Sequence, residues 1–434
     1  VSLYNGLLFS KLLLTVKINN LMRRIIFLTF TLNQWIVVTS VFIAFLVPTT
    51  LHAQSEVDKL AAPSSTVAQL ESDSRSQRGW SDWKASLKNR TGLDFGFDFI
   101  GLGMVATESV GQNTAGTGVA RLYAEWVLTG RGTKNTGSLI GKVDYRQALG
   151  PVPIKSFGGE LGYAGIIGPT YSDQRLRLTH LFWNQIFAQG RGAVYAGWLD
   201  VTDYVDANAL ASPWQGFTNL QFETGSGTIG GLPDAALGVA AAYFFKDNIY
   251  IMGGIVDANG NARNPLAGFE TLFTEGETFK SLEVGWTTGP KARFFNNAHV
   301  TFWQQDARAE EGTSSGYGVS FYLSHVLSKH WLPFLRGGWA YAGDALYETA
   351  FSGGFGYSKD PSKGILGVGL GWSRPNEDTY GAKLEDQVAM EAFWMFELAK
   401  FIELTPSVQY IINPALNPNA NSTVLFGLRF RAAF

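Results

Sequence analysis

The chain has 434 residues, with 50 Gly, 31 Phe, 16 Tyr, 13 Trp and no Cys, and only 16% of its residues are charged, below the ~25% usual for soluble domains. No apolar run of the ~20 residues that a membrane helix needs occurs after residue 53, and 34 basic against 36 acidic residues give no footing for nucleic-acid binding. Low charge, many aromatics and abundant glycine without spanning helices suit a sheet that faces lipid.

Residues 1–21 read as translated upstream sequence, with initiation at Met22. Met22-Arg23-Arg24 is a short basic start, Ile25 to Val47 is apolar, and Leu51-His52-Ala53 offers a cleavage point before Gln54. That order predicts a secretory signal peptide over 22–53; a retained signal anchor is the alternative. Removing the four basic residues of 1–53 (Lys11, Lys17, Arg23, Arg24) leaves 30 basic against 36 acidic residues. Residues 54–78 are polar and rich in Ser, Ala and Asp, without a sustained period, and read as a flexible periplasmic leader. Trp80, Trp83 and Leu87 then recur at i, i+3 and i+7, which predicts a short helix ending near Gly92. The segment 54–92 is thus leader plus helix, and the helix either braces the periplasmic mouth or enters the lumen as a constriction or plug.

From Leu93 to Phe434 the chain repeats segments of alternating apolarity separated by turns. Leu93, Phe95, Phe97 and Phe99 oppose Asp94, Gly96 and Asp98. Leu122, Ala124, Trp126 and Leu128 oppose Arg121, Tyr123 and Glu125, and Leu139, Gly141, Val143 and Tyr145 oppose Lys142, Asp144 and Arg146. Since strand side chains have a period of two, each such segment has one greasy and one polar face. Similar strands follow at 193–199, 235–245, 249–256, 281–287, 299–305, 318–326, 331–341, 365–372, 388–398, 403–411 and 423–434; the stretches 147–190 and 204–224 are ambiguous. The fold expected is all-β: a transmembrane antiparallel barrel over 93–434, of about 16 strands and therefore wide enough for an aqueous channel. Trp126, Tyr145, Trp198, Trp286, Trp372 and Phe434 fall at strand ends, where aromatic girdles sit at headgroup depth. A dry sandwich core would not tolerate the charged inward faces.

The closing strand is the clearest of all. Val424, Phe426, Leu428, Phe430, Ala432 and Phe434 share one face, and Arg429 and Arg431 lie on the other. A terminal Phe434 is the usual form of the signal read by the bacterial barrel-assembly machinery, and it places the chain in a Gram-negative outer membrane with lipid around it. The stretch from Glu403 to Pro418, with Pro406, Gln409-Tyr410 and Asn413-Pro414, followed by Gly427-Leu428-Arg429, resembles the end of the carbohydrate-selective porins of the OprB family. Gln387 through Glu391 and Phe393 is similar to that family's penultimate strand. Trp83 to Gly92 is similar to its first helix, but lacks the Gly pair. Asp206-Ala207-Asn208 with Phe217 and Asn219 resembles the stretch after one of its early strands.

The resemblance implies a channel that passes sugars into the periplasm by facilitated diffusion. A selective path for a neutral, hydroxyl-rich solute needs aromatic faces and many individually weak hydrogen-bonding groups. Inward parity nominates Arg121, Tyr123, Glu125, Lys142, Asp144, Arg146, Trp303, Arg336, Glu391, Gln409, Arg429 and Arg431 as a mixed-charge pathway for mono- or disaccharides. A general, weakly selective porin and a plugged structural barrel are the alternatives, and both a homotrimer and a monomer fit. The five His residues lack metal-ligand spacing, and no phosphate loop, nucleophile elbow or Ser/His/Asp arrangement stands out. Neither a cofactor nor an enzymatic activity is therefore expected. Asn413-Pro414 and Asn417-Pro418 read as the turn before the last strand.

Overall fold

In the computed structural model, residues 78–233, 235–308, 311–360 and 363–434 are described; the expected upstream segment, signal peptide and most of the leader lie outside them. Sixteen antiparallel strands close on themselves in chain order. They are β1 (Leu93–Ala106), β2 (Thr114–Thr129), β3 (Gly137–Ala148), β4 (Arg175–Phe187), β5 (Gly192–Leu199), β6 (Ala236–Lys246), β7 (Ile249–Asp257) and β8 (Thr278–Thr287). The second half comprises β9 (Asn297–Gln305), β10 (Gly316–Ser324), β11 (Trp331–Ala342), β12 (Tyr347–Tyr357), β13 (Gly364–Pro375), β14 (Gln387–Ala399), β15 (Ile402–Ile412) and β16 (Ser422–Ala433). β1 pairs with β16 from Asp98–Ala433 to Ala106–Leu425, so no edge is left with unpaired backbone groups, as lipid requires.

Alternation sets which face is which. Phe97, Phe99, Leu122, Leu282, Phe302, Phe426 and Leu428 stand exposed on the outer wall, whereas Asp98, Arg121, Asp144, Arg336 and Glu391 are buried inside. Trp126, Tyr145, Trp286 and Phe434 are exposed at the wall as a girdle needs. Trp198 is a correction. It points outward from β5 but is only 4% exposed, because the 258–277 loop folds over it. Gly268 lies so close to its ring that a Cβ there would come within 2.5 Å.

Two strands escape the alternation. In β4 the pairing shifts between Lys142–His180 and Val143–Leu178, so Thr179 is an extra residue, its hydroxyl donating to the Lys142 carbonyl at 3.2 Å. The bulge puts the apolar residues before and after it out of phase. In β12 the inward positions are Ala350, Ser352, Gly354 and Gly356, too small to register as a polar or apolar face.

Helix α1 (Arg78–Thr91) crosses the lower end of β1 instead of entering the lumen. Trp80 and Trp83 stack on each other at 5.2 Å and both meet the outward ring of Phe95 edge-on. On the inner side Lys88 reaches Asp94 at 2.8 Å. Gly92, at φ +80°, turns the chain directly into β1. Short turns such as 247–248 and 400–401 join strands at this end, and the long loops lie at the other, which makes this the periplasmic end. Phe434 finishes here too: it exchanges backbone hydrogen bonds with Phe97, and its ring packs 5.6 Å from that of Phe401.

Candidate functional site: the lumen and its crossing loop

The 149–174 and 200–233 segments turn inward and fill much of the barrel. The first carries a short helix, α2 (Ile154–Leu161), whose Ile154, Phe157 and Leu161 are fully buried. The helix ends at Gly162, with φ +71°, against which the backbone of Asn417 packs closely. The 413–421 turn is fastened there: Leu416 N–H donates to the Gly162 carbonyl at 2.8 Å and the Asn417 amide to Leu161 at 3.2 Å. The Asn-Pro pairs thus form the expected turn, with Asn417 as a strut for the neighbouring loop.

The 200–233 segment crosses the lumen along the inner wall, and wall side chains hold it at successive points. Arg429 donates to the carbonyls of Pro213 (2.8 Å) and Gly216 (3.0 Å). Glu391 accepts from Thr218 and Asn219 N–H, each at 2.9 Å, and from the Thr218 hydroxyl at 2.8 Å. Gln409 bridges Thr218 and Asn219. Arg336 donates to the Phe222 carbonyl at 2.8 Å and pairs with Asp206. Trp303 donates to Thr228 at 2.9 Å, and Arg121, paired with Asp98, lies 4.0 Å over the Trp214 ring.

Asp206 is the hub. Its carboxylate also meets His299 at 2.7 Å and accepts from Gly225 N–H at 2.5 Å, while its own N–H donates to Glu283 at 2.9 Å. Burial would raise its pKa, but the Arg336 charge, the His299 contact and the Gly225 hydrogen bond together hold it below the usual carboxylate value. Glu223 is the opposite case: burial, reinforced by the nearby Glu391, pushes it well above its usual value, and its Oε1 makes no hydrogen bond within the protein. Burial likewise lifts the Tyr163 hydroxyl to about 12. Tyr163 stays a neutral link, accepting from Tyr347 at 2.7 Å and donating to Asn219 at 3.2 Å.

Glycine makes room for this crossing. A Cβ on Gly369 would lie 2.9 Å from the Phe222 ring and 3.2 Å from Phe217, one on Gly371 would come within 2.5 Å of the Gln221 amide, and one on Gly356 within 2.9 Å of Leu210. The bared inner wall of β12 and β13 receives an apolar cluster of Leu210, Phe217, Phe222, Phe334 and Phe393. Phe217 meets Phe393 edge-on at 5.0 Å.

All twelve side chains nominated by parity point inward, but they divide into three groups. Arg121, Trp303, Arg336, Glu391, Gln409 and Arg429 tether the crossing segment and are at most 4% exposed. Lys142, Asp144 and Arg146 form a buried charge cluster, with Arg146 on Asp144 at 2.7 Å. Tyr123, Glu125 and Arg431 retain partial exposure, Arg431 while paired with Asp98 and Glu403. Around the first two, on β2 to β6, the inward Phe182, Asn184, Tyr195 and Phe244 are also part-exposed. Parity cannot foresee which inward side chain a folded-in loop will cover. Asp206, Glu283 and His299 were not nominated, because a loop carboxylate and its wall partners have no shared spacing.

A closed sixteen-stranded barrel with an apolar outer belt, a polar interior and loops folded into its lumen defines an outer-membrane porin. Residues 71–366 and 369–434 match the family described as carbohydrate-selective porin, OprB family. The chain belongs to that family. No curated protein sequence matches it. Among solved structures it resembles the high-pH structure of Pseudomonas putida OprB, at 13% identity and a TM-score of 0.65, over 82% of this chain and 97% of that one. The outer membrane channel DcaP of Acinetobacter baumannii (11%, TM-score 0.48, 79% and 97% covered) and a loop-deletion form of OmpT of Vibrio cholerae (14%, 0.48, 79% and 99%) are more distant.

Proposed function

We propose that the barrel passes neutral mono- and disaccharides into the periplasm by facilitated diffusion, past the part-exposed inward side chains of β2, β4 and β5. The observation that carries this reading is the chemistry of those side chains. Phe182 and Tyr195, with ring centroids 5.5 Å apart, offer aromatic faces beside the hydrogen-bonding groups of Tyr123, Glu125 and Asn184. Such partners are numerous and individually weak, which suits a channel that must also release its solute. In this reading Tyr123, Glu125 and Arg431 touch the solute, while the other nine nominated residues set the width of the path by holding loop and wall. Phe434 serves as the assembly signal.

The test is swelling of liposomes containing the refolded mature chain, from Gln54 onward, in glucose, a disaccharide and amino acids of matching size. Sugars should enter faster than amino acids of equal size. A ranking by size alone would make the protein a general porin, and no entry would make it a plugged structural barrel.

A further inference from the structure

The outer wall of β6 to β9 is not a smooth belt. On β6 and β7, Ala241 and Gly253 are paired neighbours and leave the wall low, while Val239, Ile255, Leu282 and Phe302 rise around them. The result is an external groove of about 790 Å³. Its extracellular end is polar. Lys280 sits between Ile255 and Gln304 in the ladder, and its ammonium contacts Gln304 at 2.8 Å and Asp306 at 2.9 Å, with the side chain 41% exposed. The same ladder row continues to Tyr317 and Tyr341, two exposed tyrosines that mark headgroup depth.

A second observation falls on the same face. The 258–277 loop leans outward over the tops of β4 to β6; on β4, Leu178 N–H donates to the Ala262 carbonyl at 2.9 Å. It is pinned by Gly268 on Trp198 and by the Thr271 hydroxyl on Asp257. Fixed in this way, the loop presents Leu266, Phe269 and Phe273, which are 77%, 55% and 76% exposed. Trp198 pairs with Leu237, two residues above Val239, so this apolar face stands over the head of the groove and continues the lipid-facing belt upward.

We propose that this face is a specific lipid site: one acyl chain of an outer-leaflet lipid lies over Ala241 and Gly253, its polar head meets Lys280, Gln304 and Asp306, and Leu266, Phe269 and Phe273 insert at the headgroup–acyl boundary. An acyl chain fits because the groove is apolar along its length, is open to the membrane side and ends on groups that bind phosphate, hydroxyl and amide.

The test is native mass spectrometry of the detergent-purified, delipidated barrel titrated with lipid A, a phosphorylated, acylated diglucosamine. One lipid should be retained per chain. Ala241→Phe, which fills the groove from its floor, should lower retention at least tenfold, and Val239→Trp, which closes it from the rim, should do the same. Ala124→Phe, on the outer face of β2, should leave retention unchanged. Heat-modifiable mobility reports folding of each variant, and either groove variant alone suffices. Equal retention in groove and β2 variants, or no retention by the unaltered barrel, would overturn the proposal. So would a Val239→Cys variant that forms disulfide-linked copies in membranes, since a second copy would then cover the face.

Discussion

Replacing Arg336 with Met tests whether the crossing segment is held by charge. Arg336 is 1% exposed and donates both to Phe222 and to Asp206. Met keeps much of the side-chain volume but strands the Asp206 carboxylate. Removing one member of a buried pair costs about 3–5 kcal/mol. His299 and Gly225 still contact Asp206, so the lower end, about 3 kcal/mol, applies. At ~1.4 kcal/mol per tenfold change, the docked population of the segment falls relative to the undocked one by about two orders of magnitude. Single-channel recording in planar bilayers should show a larger, noisier conductance, and swelling assays should admit solutes that the native channel excludes. Heat-modifiable mobility should stay native, because none of the sixteen strand pairings is touched. The double variant Asp206→Asn with Arg336→Met removes both charges and should recover part of the native conductance. A single variant with native conductance, native size cut-off and unchanged protease resistance of 200–233 would refute the tethering argument.

Three further outcomes follow from the same geometry. Gly369→Val would drive a branched side chain into Phe222 and Phe217; overpacking of this kind costs about 1–3 kcal/mol, and the expected readout is an altered conductance from a folded barrel. Leu428→Arg places a charge on the lipid face, where it costs about 2–4 kcal/mol near the midplane, and should lower the folded yield in outer membranes; Arg429→Ala should assemble but lose the ties to Pro213 and Gly216. The Asp206 pKa lies below its ordinary 3.8, so its stabilisation of the docked segment is present above that value and is lost as pH falls through the lower folded one. Current noise should therefore rise when acidification passes below the ordinary carboxylate range, and in Asp206→Asn that acid-induced rise should shrink.

Much of the barrel was legible because lipid and water impose opposite demands on alternate residues. Where a strand meets both solvents, as β1 does from Leu93 to Phe99, the period of two survives in the sequence and the face follows; above it the inward Ile100, Leu102 and Met104 turn apolar to pack with Ile154 and Phe157 of the folded-in loop. The reading failed where a third partner intervened. β12 faces neither lipid nor water on its inner side but a packed loop, so glycine replaces the polar residues that would have marked it. Trp198 has the place of a girdle residue, and only the fold-over of a distant loop takes it away from lipid. The lumen site was half legible. Parity brought Arg336, Glu391 and Arg429 to the correct side of the wall, but most of their partners are backbone carbonyls and amides of 213–222, which no side-chain pattern encodes. The Asp206-Ala207-Asn208 and Phe217-x-Asn219 segment drew notice only as a likeness to other sequences; its work as the anchored part of the loop emerges from the contacts.

The glycines that bare β12 and β13 have one more effect. By letting Leu210, Phe217 and Phe222 settle flush against the inner wall beside Phe334 and Phe393, they seat the crossing segment on that wall instead of leaving it suspended in the lumen. On the sugar-pathway reading proposed above, a solute would pass between two surfaces of different kinds: a loop clamped by buried charges, and part-exposed side chains such as Tyr123, Glu125 and Asn184, which take no part in that clamp. In that reading, substitutions on the second surface would tune passage one residue at a time, while the first keeps its shape.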